Sequence, residues 1–448
     1  MKRSSKLPHS LRGWKGVVTG IVLVLLSLFA TDAKTGARTG TVNAVTAFLE
    51  DLISLFLTDD FGDQSAPPEW TDVDEDETAD AAPQGRRDGP ETDSSSSRDA
   101  RNRPRPSEAQ PSSAPEKVGR ISKEMAASPT FYVASWNVEN LFDCKDERDK
   151  KDEEFLPTER RTRWTQERVD QKLSHLAQVI RYMNDGKGPD VLGLVEVETP
   201  ELVEALLSLL KGRDYAFVYG ESPDYRGIDV AIVYDKRRFA LKHERALRVR
   251  WPKTRVIQQA TLVTRSGKSL HCFVNHWPSR GIGEEESDHQ RRIMAQTLRK
   301  EIEKLQRKDA SAAILAFGDF NDTPFDDSMA TTLQAKAPVA KGARARELYN
   351  LSLPLAEAGQ GTHASCSGWR KTWEWQMLDQ LIASGGMLAP NAAIRYVPDS
   401  FEIVKPPFMF DQRGWRKGIS IPTFQGTGRY RGGYSDHLPI GARFTIRN

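Results

Sequence analysis

Gly433-Tyr434-Ser435-Asp436-His437-Leu438-Pro439 stands just before the last apolar run of the chain, residues 440–446. Five earlier segments carry the same kind of chemistry. They are Ser135-Trp136-Asn137, Leu194-Val195-Glu196, Asn275-His276-Trp277, Gly318-Asp319-Phe320-Asn321 and Leu378-Asp379-Gln380. In four of them an apolar run breaks directly into Asn, Glu, His or Asp; in the fifth, Asp379 opens the run 381–383. A short apolar run bounded by turn residues reads as a buried strand. Ligands of open α/β sheets sit at strand ends. Several strands are therefore expected to deliver acid, amide and imidazole groups into one site.

The surrounding chain sets limits on that reading. It has 448 residues, 38% hydrophobic and 28% charged, with a formal net charge of +2. That composition suits a soluble core with polar tails. So small a net charge carries no information about a nucleic-acid partner, whose footprint would have to be a local patch. The three cysteines, Cys144, Cys272 and Cys366, show no CxxC pairing, which argues against a zinc cluster or redox dithiol and allows at most one disulfide. Cys272 lies inside an apolar run and reads as a small buried hydrophobe.

The first 128 residues are expected to stand apart from the fold. Lys2, Arg3, Lys6, Arg12 and Lys15 precede the uncharged run 16–30. This is the pattern of an export leader or N-terminal anchor, assigned to residues 1–33, and it predicts an exported domain, extracellular, periplasmic or anchored facing outward. A membrane contact through this segment follows as an expectation. Residues 34–57 contain a second apolar patch interrupted by Glu50 and Asp51, read as an amphipathic segment. Residues 58–128 are rich in acids, Pro, Ser and Ala, and read as a disordered linker that cannot bury enough apolar surface to order itself. The patterned chain, 129–448, is the expected catalytic domain.

Within it, residues 131–135, 190–197, 229–234, 270–274, 312–317 and 439–446 are strand-like; residues 164–183, 201–210 and 290–305 have helical periodicity. Strands mixed with helices, including a hairpin-like pair over 260–263 and 270–274, predict two sheets sandwiched by helices, an α/β fold.

Asp319 and Asn321 are two apart at a strand end, so they project to one side. Such oxygen ligands suit Mg²⁺ or Mn²⁺, although the stretch 318–322 also reads as a capping turn. Glu196 closes a run too apolar for a solvated strand; it needs a metal or a buried ion pair. His437 is a candidate general acid or base with Asp379 as its carboxylate partner, and His276 a second imidazole. Without such settings His175, His243, His271, His289 and His363 read as structural or surface residues.

Taken together, Asn137, Glu196, Gly227-Ile228-Asp229, His276, Asp319-x-Asn321, Asp379 and Asp436-His437 resemble the endonuclease/exonuclease/phosphatase superfamily, the deoxyribonuclease I-like fold, over residues 130–447. The resemblance implies a four-layer α/β sandwich, two mixed sheets flanked by helices, and metal-dependent hydrolysis of a phosphate ester. It implies Asn137, Glu196 and Asp436 as metal ligands for Mg²⁺ or Mn²⁺. Asp319 would position or activate water, Asn321 would contact phosphate, and His276 and His437, the latter with Asp379, would serve as acid, base or oxyanion stabiliser. One departure is Glu139, which stands where abasic-site members carry Asp.

Arg226, Asp229, Arg429, Arg431 and Tyr434 are candidate substrate contacts, by charge and stacking. The resemblance favours an exported endonuclease acting on nucleic acid, with no obligate protein partner evident. The alternatives are a phosphoesterase acting on phospholipid or inositol phosphate, which Trp369, Trp373 and Trp375 could serve as a lipid-facing patch, and a non-catalytic surface-binding protein. The complete residue set argues against the last.

Overall fold

The computed structural model describes residues 128–447 apart from 250–253, 340, 368–371 and 426–427. The expected leader, amphipathic segment and linker lie outside the described residues, Ser128 apart. The domain opens with β1 (Thr130–Leu141), α1 (Gln166–Gly186), β2 (Val191–Val197), α2 (Pro200–Ser208), β3 (Tyr215–Gly220) and β4 (Asp229–Asp235). It continues with β5 (Phe239–Leu247), β6 (Ile257–Thr264), β7 (Ser269–His276), α3 (Glu284–Lys308) and β8 (Ala313–Asp319). Short elements follow: β9 (Ala335–Lys336), β10 (Leu348–Asn350), α4 (Leu353–Glu357), β11 (His363–Ser367) and β12 (Thr372–Gln376). The chain then forms β13 (Asp379–Ser384), β14 (Ile394–Tyr396), β15 (Glu402–Ile403), β16 (Phe424–Gln425), β17 (Arg429–Tyr430) and β18 (Ile440–Ile446).

Two mixed seven-stranded sheets carry the domain. The first runs β14-β18-β1-β2-β4-β3, with β15 also paired to β18; the second runs β5-β6-β7-β8-β13-β10-β9. In the first, β1 and β2 are parallel and joined through α1; in the second, β7 and β8 are parallel and joined through α3. The sheets pack face to face, β1, β2 and β4 against β6, β7 and β8. The alternation of strand side chains sorts them between two cores. Leu270, Cys272, Val274, Leu315 and Phe317 enter the core between the sheets, while Phe273, Ile314 and Ala316 meet Met294, Leu298 and Ile302 of α3. On the other flank Val169, Leu173 and Leu176 of α1 and Leu202 and Leu206 of α2 join the first core. The expected four layers are therefore present. Gly193 explains how closely the sheets meet, since a Cβ there would lie 2.7 Å from the Phe317 ring.

Several elements differ from their sequence reading. The helix expected over 164–183 keeps helical geometry only to its last turn: Met183 turns to ψ 155° and Asn184 and Asp185 sit at positive φ. β5 escaped notice because its middle seven residues are exposed and mostly polar or charged, as suits an edge strand. The cysteines are all free, and Cys272 is fully buried.

Candidate active site

The pairing register assembles the site. Asp319 at the end of β8 lies level with His276 on β7 and with Asp379 on β13, so three of the expected residues stand side by side. Across the sandwich, β1 and β2 both lose regular pairing where Asn137 and Glu196 occur. Glu139, Asn140, Glu196 and Asn321 all have positive φ, between 49° and 67°. Non-glycine residues are uncommon there, and their clustering at strand ends marks backbone held in place by its surroundings.

The motifs clip onto one another. Trp136 Nε1 donates to the His437 carbonyl at 2.9 Å, the Ser435 hydroxyl donates to the Asn137 carbonyl at 2.7 Å, and the His437 N–H donates to Ser435 Oγ at 3.0 Å. Asn321 is fixed by its Nδ2 donating to the Trp277 carbonyl at 2.9 Å and its N–H donating to Asp319 Oδ1 at 2.8 Å. Just beyond, buried Asp322 is held by Arg291 at 2.7 Å, Arg280 at 3.1 Å and Ser328 at 2.6 Å, which anchors the turn.

Asp319 Oδ2 is the hub. It accepts from Asn137 Nδ2 at 3.0 Å and lies 3.9 Å from Nε2 of both His276 and His437. His437 Nδ1 lies 2.7 Å from Asp379 Oδ2, the expected partner. Glu196 Oε2 accepts the Asn140 N–H at 2.8 Å, and Oε1 accepts from Asn137 at 3.1 Å and lies 3.6 Å from His276 Nε2.

The two imidazoles are driven in opposite directions. Burial works to lower the pKa of His437, yet Asp379, Asp319 and Asp436 together hold it well above the ordinary value. His276 is pushed well below it, by burial first and then by Arg255, Arg226 and His437. Burial lifts Asp319 to about 7 against the pull of His437, and Asp379 adds to the rise. Glu139 is lifted to about 8 by burial and by Asp436.

Some expected residues serve differently. Asn137 turns its Oδ1 to the Glu139 N–H at 3.0 Å and its NH₂ to Glu196 and Asp319. In this orientation it is a donor binding two carboxylates together, where a metal ligand was expected. Asp436 is partly exposed and lies 4.0 Å from His363. Arg226 is at the site, donating to Asn140 Oδ1. Asp229 is buried and accepts from the Tyr219 hydroxyl at 2.9 Å, a position inside the sheet rather than on a substrate surface. Arg431 forms a two-pronged pair with Asp411, at 2.7 and 3.0 Å, so its charge is already matched. Tyr434 stacks on His175 of α1 at 4.7 Å and fastens the loop to that helix. Arg429 is exposed on β17.

Three residues were missed. His363, read as a structural or surface residue, packs against His437 with ring centroids 4.6 Å apart and planes tilted by 39°. Its signal was the adjoining Gly361-Thr362. Buried Arg255 acts on His276 from the start of β6, with no sequence signal. Lys172 of α1 is buried and donates to Tyr434 O at 2.7 Å and to Thr423 Oγ1. Glu139 accepts the N–H groups of Thr423 at 2.6 Å and Phe424 at 3.0 Å, which assigns it to holding the 420–435 loop.

The sequence from 132 to 445, more than two thirds of the chain, matches the Endonuclease/Exonuclease/phosphatase family. The chain belongs to this family. It is therefore an enzyme that hydrolyses phosphate esters. No curated protein matches the sequence. Similar solved structures include a Bacteroides thetaiotaomicron endonuclease/exonuclease/phosphatase family protein, at 15% identity over 71% of this chain and 98% of that one, TM-score 0.45. Another is D. rerio TDP2 complexed with a single-strand DNA product, at 17% identity over 70% and 98%, TM-score 0.43. The human Nocturnin catalytic domain with bound sulfate stands at 19% identity over 71% and 96%, TM-score 0.42.

The family's divalent metal suits the residues present. Buried acids at the site (Glu139, Asp319, Asp379) have pKa values raised by burial or lie beside one raised that way, a surplus of anionic groups that a cation would relieve. Two groups of ligand atoms lie close enough to share an ion: His363, Asp436 and His437, and Asp319, Asp379 and His437. The second is internally hydrogen-bonded and fully buried, which leaves little room for the waters a hard cation keeps. Glu196, at a strand end, and the partly exposed Asp436 are the carboxylates best placed to meet a hydrated ion.

Proposed function

We propose that the chain is an exported, divalent-metal-dependent phosphodiesterase acting on nucleic acid. One observation carries this reading. Two imidazoles, His437 and His276, flank one carboxylate oxygen at equal distances of 3.9 Å, beside Glu196, and their surroundings push the pKa of the first up and of the second down. Groups whose environments push their pKa values apart define acid and base assignments.

A phosphodiester seated over this hub meets His437 Nε2–H, which donates to the oxygen where negative charge develops. Asp379 holds the other ring nitrogen and so fixes the orientation of the ring. Asp319, poised near neutrality, accepts a proton from the attacking water and orients it. Asn137 and Asn321 hold the Asp319 carboxylate still. Arg226, which donates to Asn140, supplies positive charge to the phosphate oxygens on the His276 side, while buried Arg255 is paired with Asp224 at 3.6 Å. Mg²⁺ or Mn²⁺ at Glu196, with Asp436 available for a second ion, would neutralise phosphate charge as a Lewis acid.

The full chain incubated with supercoiled plasmid and Mg²⁺ should nick the DNA, and excess chelator should abolish nicking. Turnover confined to inositol phosphates or sphingomyelin, with plasmid and RNA untouched, would replace this reading with the phospholipid one.

A further inference from the structure

Four exposed aromatic rings stand out among the described residues: Tyr182, Tyr225, Phe325 and Trp415. Tyr182 packs edge-on against Phe408. Of the other three, Phe325 sits on the loop leaving β8, Tyr225 on the loop between β3 and β4, and Trp415 on the loop between β15 and β16. Tyr225 precedes Arg226, which donates to Asn140, whose N–H in turn donates to Glu196. Phe325 is 57% exposed in the turn after Asn321, and that turn is pinned by Arg280 to Asp326 at 2.6 Å. Trp415 lies against Trp373, with centroids 5.2 Å apart and planes 19° apart, and is 54% exposed. Its neighbour Arg416 donates to the Ser420 carbonyl at 2.9 Å, and the Ser420 hydroxyl donates to the Asp436 carbonyl at 3.3 Å.

Each of these links leads back to the catalytic cluster by a different route, from β4, from β8 and from the loop before β18. A cation accompanies two of the rings: Lys151 Nζ is 5.5 Å from the Tyr225 centroid, and the Arg416 guanidinium is 5.7 Å from Trp415 and 4.6 Å from Trp373. A ring with a cation beside it matches a base with its phosphate. A membrane surface calls for one contiguous apolar patch, and these three rings lie on three separate loops, Trp415 with only Trp373 against it. A duplex hides its base faces within its own stack, so rings this exposed match unpaired bases.

We propose that Tyr225, Phe325 and Trp415 are stacking platforms that hold a single-stranded nucleic acid across the active site. The inference rests on the nucleic-acid reading above and adds to it a preference for unpaired strands.

The test uses the full chain, a dT 12-mer, and an abasic 12-mer with the same sugar–phosphate backbone. Binding is measured by fluorescence anisotropy in chelator, and hydrolysis with Mg²⁺. Trp415→Ala, Phe325→Ala and Tyr225→Ala should each weaken dT 12-mer binding, between about 5-fold and 150-fold, as loss of one stacked base does. KM should rise by a similar factor with kcat nearly unchanged, and abasic 12-mer binding should not move. Trp415→Phe should restore most of the loss. Unchanged dT 12-mer binding in all three variants overturns the inference. So does equal weakening on the abasic strand, or loss of binding to anionic phospholipid vesicles with dT 12-mer binding intact. A wild type that binds dT 12-mer through these rings but hydrolyses neither strand would overturn the nuclease reading and leave the platforms standing.

Discussion

Asp379 is completely buried, and its Oδ2 lies 2.7 Å from His437 Nδ1, so it fixes how the ring is turned and favours its charged form. His437→Ala should therefore lower kcat about 10²–10⁴-fold with a much smaller change in KM. Asp379→Ala should lose less, and the double variant should be little worse than His437→Ala alone, as expected of groups that act as a unit. Losses that multiply would show that the pair does not work as one. Removing the carboxylate also removes the charge that raises the imidazole, so Asp379→Asn should move the alkaline fall in activity to lower pH. The His437–Asp379 pair was legible in the sequence because each member borders an apolar run. Arg255 and Lys172 were not. Lys172 sits in α1 next to the apolar stripe of Val169 and Leu173, and its partners at Thr423 and Tyr434 lie 251 and 262 residues away. A buried lysine of this kind looks in sequence like any solvated helix position.

At the scale of elements, the 420–435 loop owes its place to two buried charges contributed by β1 and α1. Glu139 grips two of its backbone N–H groups, and Lys172 grips its carbonyl and hydroxyl oxygens. Burial brings both close to neutrality, each to a pKa of about 8, while each charge supports the other. Breaking such an arrangement from one side is more costly than replacing both. Lys172→Met should destabilise the domain by about 3–5 kcal/mol, and Glu139→Gln added to it should recover part of the loss. Urea unfolding midpoints give the comparison; a double variant as unstable as the sum of the singles would show that the two groups are uncoupled. The long central strands and helices could be read because burial on both faces leaves unbroken apolar runs, as in β2. The strands β9 to β12 and β14 to β17 hold two to five residues each, too few for a period to register, and their pairing comes from long-range contacts.

For the whole molecule, the buried acids make stability depend on pH. Folding raises Asp319 and Asp229 to about 7 and Glu139 and Glu198 to about 8, with burial the first cause in each. A carboxyl whose folded pKa exceeds its unfolded one adds stability that is complete below the unfolded value and is lost as pH rises through the folded value. The unfolded histidines are half charged at about pH 6.5 and mostly neutral about one unit higher, so on the way to about pH 8 these four acids come to dominate the slope. The metal-free protein should melt at lower temperature at pH 8 than at pH 6.5. Mg²⁺ should flatten the difference by stabilising the ionised acids. A melting temperature that rises across this window would contradict the assignment. Export is a second property of the whole chain. No helix of the described residues is long and apolar enough to cross a membrane, and the basic-then-apolar opening of the sequence lies outside them. Residues 1–60 fused to a reporter active only after export should give signal, and silence would remove the exported reading.

The pairing of β1 with β18 also governs when the enzyme can exist. The first strand of the domain takes the last as its neighbour, and the Ile446 N–H closes onto Pro129 O at 2.7 Å. Trp136 and the His437 carbonyl it binds are 301 residues apart in the chain. Contacts so distant in sequence form late in folding. As the polypeptide is synthesised or threaded from its N-terminal end, one edge of β1 stays unpaired and the acid–imidazole dyad stays unbuilt until the final strand emerges. A product that stops short of His437 lacks the dyad, so the site can form only after that stretch has been made.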